Sequence, residues 1–257
     1  MLQTIQKAGE LLALFDREHT EWGVREVAAK LKMAKSSTHD LMSSLAKLGF
    51  LNKTDDNRYR LGWRLVTLSE TLLATTELRQ EAHPILEDLA SHYQETIHLA
   101  VLDDTQAVYV DKLEGRQAVR VELTSLGARL YAHCSALGKV LLAYQDEEEV
   151  KRIIQTAGLP RFTDNTITNE DELIQTLAKI RKQEYAYDLE EILPDLCCVA
   201  APIYDHTGQV IAALSMSLPA YRFKRSQNEF RDAVMRSARK ISKRLGFYGT
   251  PQKVSRR

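Results

Sequence analysis

Residues Val24–Gly49 read VREVAAKLKMAKSSTHDLMSSLAKLG, and the reading of this stretch decides the fold of the N-terminal part of the chain. Val24, Val27, Ala28 and Leu31 recur at helical spacing and give the first half one apolar face. Lys32-Met33-Ala34 makes a turn. In the second half Thr38, Leu41, Met42, Leu45 and Leu48 form an inward face, and Gly49 stands where a helix C-terminus favours a left-handed residue. The outward face carries Ser36, Ser37, His39, Asp40, Ser43, Ser44 and Lys47. Two short helices about a tight turn, the second with small polar and basic residues outside, suit a DNA major groove. A plain helical hairpin in a small core explains these residues equally well.

The flanks favour DNA. Phe50-Leu51-Asn52-Lys53 and Arg58-Tyr59-Arg60-Leu61 are strand-like runs around the turn-rich tip Thr54-Asp55-Asp56-Asn57. A helix pair followed directly by a basic hairpin is a winged helix-turn-helix. Its Lys53, Arg58 and Arg60 then reach phosphates or the minor groove beside the recognition helix. Upstream, residues 3–16 read as a first helix with Ile5, Ala8, Leu11, Leu12 and Phe15 inward, and Trp22-Gly23 as a loop.

On these residues the chain resembles the IclR-type transcriptional regulators, over nearly its whole length. The recognition segment is similar to the family's proline-lysine-serine-threonine-valine-histidine-arginine run. Lys35, Ser36 and His39 match it, Ala34, Ser37 and Thr38 depart mildly, and Asp40 stands where the family has arginine. An acid there means that the family's base preferences do not carry over. The wing Arg58-Tyr59-Arg60-Leu61-Gly62 matches well. The DNA-contacting set is therefore Lys35, Ser36, Ser37, His39, Asp40, Ser43, Lys47, Lys53, Arg58 and Arg60. The resemblance implies an α+β chain: a winged helix-turn-helix at 1–62, a linker and dimerisation helix at 63–80, a GAF-like effector-binding domain at 81–250 and a basic tail at 251–257.

At 257 residues the chain is long enough for two domains, and its 44% hydrophobic content is that of a globular protein. No apolar run approaches the roughly 18 residues of a membrane span, and the N-terminus reads as an amphipathic helix and not as a signal peptide. Cys134, Cys197 and Cys198, an odd count with two adjacent, point to a reducing cytoplasm and not to a disulfide framework. The net charge of zero hides a segregation: Ala220–Arg257 carries twelve Lys or Arg against Glu229 and Asp232, and residues 1–75 carry eleven basic and nine acidic side chains. The stretch between them is strongly acidic, which keeps it off DNA.

Residues 63–94, WRLVTLSETLLATTELRQEAHPILEDLASHYQ, are helical in pattern, broken only by Pro84. Trp63, Val66, Leu68, Leu72 and Leu73 are too many apolar positions for a lone surface helix, so this helix is expected to bury itself against a second subunit. Two paired winged domains would read a roughly palindromic operator in double-stranded DNA. The family also forms tetramers; the residues here argue only for the homodimer. From Thr96 the texture changes. Thr96–Leu102, Ala107–Lys112 and Ala118–Leu123 alternate as strands, with turns at Asp103-Asp104 and Glu114-Gly115. Helices follow at Ser135–Tyr144, Glu147–Ala157 and Glu170–Gln183, the last capped from Thr168–Asp171. Strands return at Cys197–Tyr204 and Val210–Leu218, joined at Asp205-His206-Thr207-Gly208, and a basic helix at Arg225–Leu245 closes the fold.

The run His133-Cys134-Ser135-Ala136-Leu137-Gly138-Lys139 resembles the family's histidine-x-threonine-alanine-leucine-glycine-lysine segment. It opens a helix, where free N–H groups and the helix dipole favour an anion; an N-cap with close helix packing accounts for Ser135 and Gly138 alone. By resemblance the effector pocket falls on Ala136, Leu137, Asp188, Cys198, Ser215 and Ser217, with Leu130 and Leu196 as apolar wall. Ser215 and Ser217 share one strand face at period two. Pro194-Asp195 replaces the family's usual glycine, and Asp195 is expected to favour a ligand with hydroxyls to donate. Two other readings compete. His133, Cys134, Asp188, Cys197 and Cys198 carry zinc-ligand chemistry but lack C-x-x-C or H-x-x-x-H spacing, and no hydrolase, metalloprotease or nucleotide motif supports a Cys/His enzyme. The sequence thus points to a cytoplasmic regulator, with no cofactor, metal, catalytic residue or membrane contact, whose DNA affinity is set by a small organic acid seated on the Ala136 and Leu137 amides.

Overall fold

Helical spacing in the first seventy-five residues and strict alternation after Thr96 produce two different architectures in one chain. The computed structural model describes residues 2–116 and 124–249, apart from the Thr75 side chain. The chain divides into two compact units between Thr75 and Thr76. The expected strand at Ala118–Leu123 and the basic tail at 251–257 lie outside the described residues.

The first unit runs α1 (Gln3–Leu12), β1 (Glu21–Gly23), α2 (Val24–Leu31), α3 (Lys35–Lys47), β2 (Leu51–Lys53), β3 (Arg58–Leu61) and α4 (Arg64–Thr75). Leu11, Trp22, Val27, Met42, Leu45, Leu51 and Tyr59 meet in its core. The helix pair turns through Lys32, whose left-handed φ of 51° ends α2. The Thr38 hydroxyl donates to the Ala34 carbonyl (3.0 Å), which lets a polar residue sit fully buried on the inward face of α3. Trp22-Gly23 is not a loop: Trp22 pairs with Tyr59 in a third strand, giving the sheet order β1-β3-β2, and its indole N–H donates to the Leu14 carbonyl (3.0 Å). Two residues placed inward are exposed, Ile5 (63%) and Leu48. Ile5 lies near the free start of α1, and Leu48 is already the C-cap of α3.

The second unit runs α5 (Glu77–Tyr93), β4 (Thr96–Asp103), β5 (Gln106–Leu113), β6 (Arg129–Tyr131), α6 (Ala136–Ala143), α7 (Glu147–Ala157), α8 (Glu170–Gln183), β7 (Ala186–Leu189), β8 (Leu196–Tyr204), β9 (Val210–Pro219) and α9 (Ala220–Arg244). Its six-stranded antiparallel sheet has the order β6-β5-β4-β9-β8-β7. Alternation sends Ile97, Leu99, Cys197, Val199, Leu214 and Met216 to one face, where α5 and α9 cover them. Ala100, Tyr109, Cys198, Ala200 and Ala213 go to the other, under α6 and α8. This is α+β in the GAF-like arrangement expected. Asn169 supplies the α8 cap, accepting from the Glu172 N–H (3.0 Å).

The helical segment after the wing breaks at Thr76, not at Pro84, which sits inside α5. α4 thus belongs to the first unit, while Leu78 and Ala82 join the core of the second. Gly49 and Gly62 let β2 and the wing's exit cross closely: Gly62 donates to the Phe50 carbonyl (2.8 Å), and a Cβ on Gly62 would overlap the Gly49 carbonyl oxygen. Gly62→Ala is therefore expected to destabilise the first unit by about 2–3 kcal/mol, read as an earlier melting transition by circular dichroism. An unchanged melt would show that the wing's backbone shifts freely.

Candidate DNA-binding and effector-binding sites

On α3, Lys35, Ser36, Ser37, His39, Asp40 and Lys47 are exposed and Ser43 is half-buried. His39 Nδ1 lies 3.6 Å from Asp40 Oδ1, so the acid at the family's arginine position sits beside an imidazole on the open face. Asp40, Ser37, Leu41 and Ser44 also line a groove of about 610 Å³ with Lys7 and Lys32. The wing divides its cations. Lys53 is paired with Tyr59, and Arg60 with Asn52, so Lys53 and Arg60 project to opposite sides of the hairpin. Arg58 is not presented freely: its guanidinium makes a bidentate contact with Glu26 (2.8 and 3.1 Å) and donates to the Glu21 carbonyl (3.0 Å). That contact holds the Glu26 carboxyl below the usual range, with the Gly23 N–H adding to it. Arg58 thus braces the wing against α2. A residue the sequence did not single out is Arg64, which donates to the Leu48 carbonyl (3.1 Å) and lies over the Phe50 ring, capping the C-terminus of α3.

In the second unit, one row of side chains crosses the sheet on its α6 face. Asp188, Cys198, Ser217 and Thr96 are register partners in turn, and the adjacent row holds Ala200, Ser215 and His98. Cys198 Sγ is 3.0 Å from Ser217 Oγ, which is 3.4 Å from His98 Nδ1. Asp188 accepts the Glu191 N–H (2.7 Å), and Glu191 forms a buried ion pair with Lys139 on α6. Ser135 caps α6 by accepting from Gly138 (3.1 Å), and the missing Gly138 side chain is where the Ala132 backbone packs. Ser135 and Gly138 therefore serve the helix itself, while the Ala136 and Leu137 N–H groups precede the first intrahelical bond. Leu130 pairs with Ala107 on the edge strand, and Leu196 begins β8 on the same face; both pack against this core.

Asp188 is fully buried and Cys198 nearly so, side by side on the sheet face under α6. One expectation changes. Asp195 is exposed and turned away: its φ of 60° closes the loop before β8, which explains why glycine suits the position, and its carbonyl accepts from Ala220. Burial sets the chemistry. Desolvation, then the neighbouring Glu191, raises the Asp188 carboxyl to about 7. Desolvation lowers His98 to about 3, so its imidazole is neutral. It also raises the Cys134 thiol to about 12 and holds Cys198 well above its ordinary value. Neither thiol is a thiolate near neutrality. The five proposed zinc donors do not converge, because Cys197 faces α9 while Cys198 faces α6. Among the described residues no group of three or more His, Cys, Asp or Glu gathers as a metal site.

Four buried polar atoms on this face or in the loop after β7 have no hydrogen-bond partner: Thr96 Oγ1, His98 Nε2, Asp188 Oδ2 and Glu191 Oε2. The sequence reading included Asp188 but missed Thr96, His98 and Lys139. Their signal was available, since Thr96 and His98 are the polar positions of a strand whose alternate residues, Ile97 and Leu99, are apolar.

Residues 4–55 match the family described as "IclR helix-turn-helix domain", and residues 70–243 match "Bacterial transcriptional regulator IclR C-terminal". The chain is 32% identical to the HTH-type transcriptional regulator XynR of Escherichia coli over 249 residues, 96% of this chain and 98% of that one. The crystal structure of the Thermotoga maritima IclR superposes with a TM-score of 0.73 at 34% identity, covering 96% of this chain and all of that one (100%). An IclR homologue of Microbacterium hydrocarbonoxydans, solved with 4-hydroxybenzoate, superposes at 0.82 with 26% identity, covering 95% and 99% of the two chains. The chain belongs to the IclR family, and is a DNA-binding transcriptional regulator with a ligand-binding C-terminal domain.

Proposed function

We propose that the regulator acts in the cytoplasm as a homodimer on a roughly palindromic operator, and that a carboxylic acid in the second unit sets its affinity. It has no catalytic role, and among its described residues no helix is long and apolar enough to cross a membrane. The observation that carries the reading is the exposed polar face of α3 beside the wing, on a unit whose core is otherwise closed. Ser36, His39 and Ser43 read base edges; Lys35, Lys47, Lys53 and Arg60 hold phosphates. Arg58 acts indirectly through its contact with Glu26.

Assembly rests on α4. Trp63 (77% exposed), just before α4, and Val66, Leu68 and Leu72 (67% exposed) on it are large apolar side chains that a monomer would leave in water. A partner's matching helix covers them and sets the spacing of the two recognition helices. The effector's carboxylate takes the Ala136 and Leu137 amides, and its polar end meets Ser215 and Ser217. The 4-hydroxybenzoate bound by the Microbacterium homologue supports a carboxylate ligand of this kind. The high thiol values of Cys134 and Cys198 weigh against a cysteine nucleophile.

Three outcomes are expected. In fluorescence anisotropy against a promoter fragment, Arg60→Ala weakens specific and non-specific duplexes alike and flattens the salt dependence by about one unit of slope, while Asp40→Arg strengthens both. Equal binding by Arg60→Ala would remove the wing from the interface. In sedimentation velocity, Leu72→Glu shifts the protein from dimer towards monomer; a wild-type monomer at micromolar concentration would sink the palindromic reading. The third concerns pH. Because the folded Asp188 value lies above the unfolded one, its contribution to stability is complete below about pH 4 and is lost as pH rises through about 7. Asp188→Asn keeps the acceptor for the Glu191 N–H and removes the ionisation. Its melting temperature should exceed the wild type's at pH 8 and match it near pH 4, and the same offset at both would refute the assignment.

A further inference from the structure

The α6 face of the sheet and the loop after β7 bury four polar atoms without partners, and none of the residues assigned above to the effector's carboxylate explains them. Thr96 and His98 are each 1% exposed, Asp188 is fully buried and Glu191 is 6% exposed, so water does not reach these groups from outside. Each orphan carries a desolvation cost that a folded chain normally avoids. They are not scattered. Thr96 and His98 occupy alternate positions of β4, register partners of Ser217 and Ser215, and Asp188 lies in the row of Thr96 three strands further on. His98 is held in place: Nδ1 faces Ser217 Oγ at 3.4 Å and the ring packs on Tyr109 at 5.0 Å. Only Nε2 is left over.

The chemistry of the four atoms selects the guest. Glu191 Oε2 accepts and calls for a donor, while Asp188 Oδ2 accepts when the carboxyl is ionised and donates when it is protonated. Thr96 Oγ1 donates or accepts. His98 Nε2 is a donor if Ser217 donates to Nδ1 and an acceptor if Nδ1 donates to Ser217. A hydroxyl group satisfies all of these cases, because it donates and accepts at once. An ammonium group would meet the Lys139 cation and the positive end of α6. An apolar chain would leave every orphan unpaired.

We propose that His98 and Thr96, with the free oxygens of Asp188 and Glu191, form a hydroxyl-binding half of the effector site, opposite the α6 amides. The effector is then a carboxylic acid bearing two or more hydroxyl groups. The proposal rests on the effector reading above and narrows its ligand class. Threonate, ribonate and gluconate are to be titrated into the full-length chain by calorimetry, beside butyrate, valerate and hexanoate. At least one hydroxylated acid should bind tenfold or more tightly than its unsubstituted counterpart. His98→Phe retains a ring against Tyr109 and lacks Nε2; Thr96→Val is isosteric and lacks the hydroxyl. Each should cut affinity for the hydroxylated acid roughly tenfold and leave the unsubstituted acid unchanged, with operator binding retained. If one variant fails to fold, the other carries the test. Equal binding of the two acid classes, or a preference that both folded variants keep, overturns the hydroxyl-binding half alone. Binding of none of the six acids overturns the effector reading and this assignment together.

Discussion

A polar atom buried without a partner costs about 1–3 kcal/mol, and the second unit places three of them on one face of a single sheet and a fourth, Glu191 Oε2, in the loop after β7. Everything around them is arranged to make that tolerable. The opposite face is largely apolar, with Ile97, Leu99, Val199, Leu214 and Met216 under α5 and α9 and its buried Asp111 paired with His83, so the sheet is anchored from behind. On the α6 side Lys139 neutralises one of two carboxyls, and burial raises Asp188 to about 7, which disfavours its ionised form. A pair of ionised carboxylates beside one ammonium would be far harder to bury. The strain is local, and a bound molecule can relieve it.

The first unit solves the reverse problem, keeping polar residues exposed on a helix that must not move. α3 is fixed at its start by Thr38 bonding back to Ala34 and at its end by Arg64 on the Leu48 carbonyl. The wing is fixed by Arg58 on Glu26 and by the close crossing of Gly62 over Gly49. None of these contacts touches the outward face. Ser36, His39, Ser43 and Lys47 are thus free to meet a ligand on a rigid support, the arrangement that base reading requires.

Most of this was legible before any coordinates. α7 and α8 have the bounds their patterns predict, and the hairpin follows its alternation and its turn. What was hidden had physical reasons. β1 and β6 are three residues long, too short to show a period, and Trp22 reads as a loop until Tyr59 pairs with it. Pro84 looks like a breaker, yet the helix runs through it and breaks at Thr76 instead. The brace that Arg58 forms on Glu26, thirty-two residues earlier, was not visible because nothing in the sequence says that the two will face each other. His98 was overlooked for the same reason: a lone histidine in a strand gains meaning only when Ser217, 119 residues away, lies beside it. The family's glycine position, occupied by Asp195, was legible as a departure. Its cause, a left-handed turn, needed the backbone.

The energetics tie the pocket to regulation. Micromolar binding corresponds to about 8 kcal/mol, part of which is consumed by the loss of ligand freedom. Satisfying two or three orphaned atoms returns energy of the same order as the coupling of about 1–3 kcal/mol that allosteric control requires. A ligand with equal affinity for two states shifts nothing, so control needs contacts that differ between them. The orphaned atoms bear a cost in the empty state that pairing relieves. Relieving it changes the free energy of the sheet on which α5 begins, directly after α4. On the effector reading proposed above, the unpartnered atoms of Thr96, His98, Asp188 and Glu191 are therefore the part of the site best suited to distinguish the occupied regulator from the empty one.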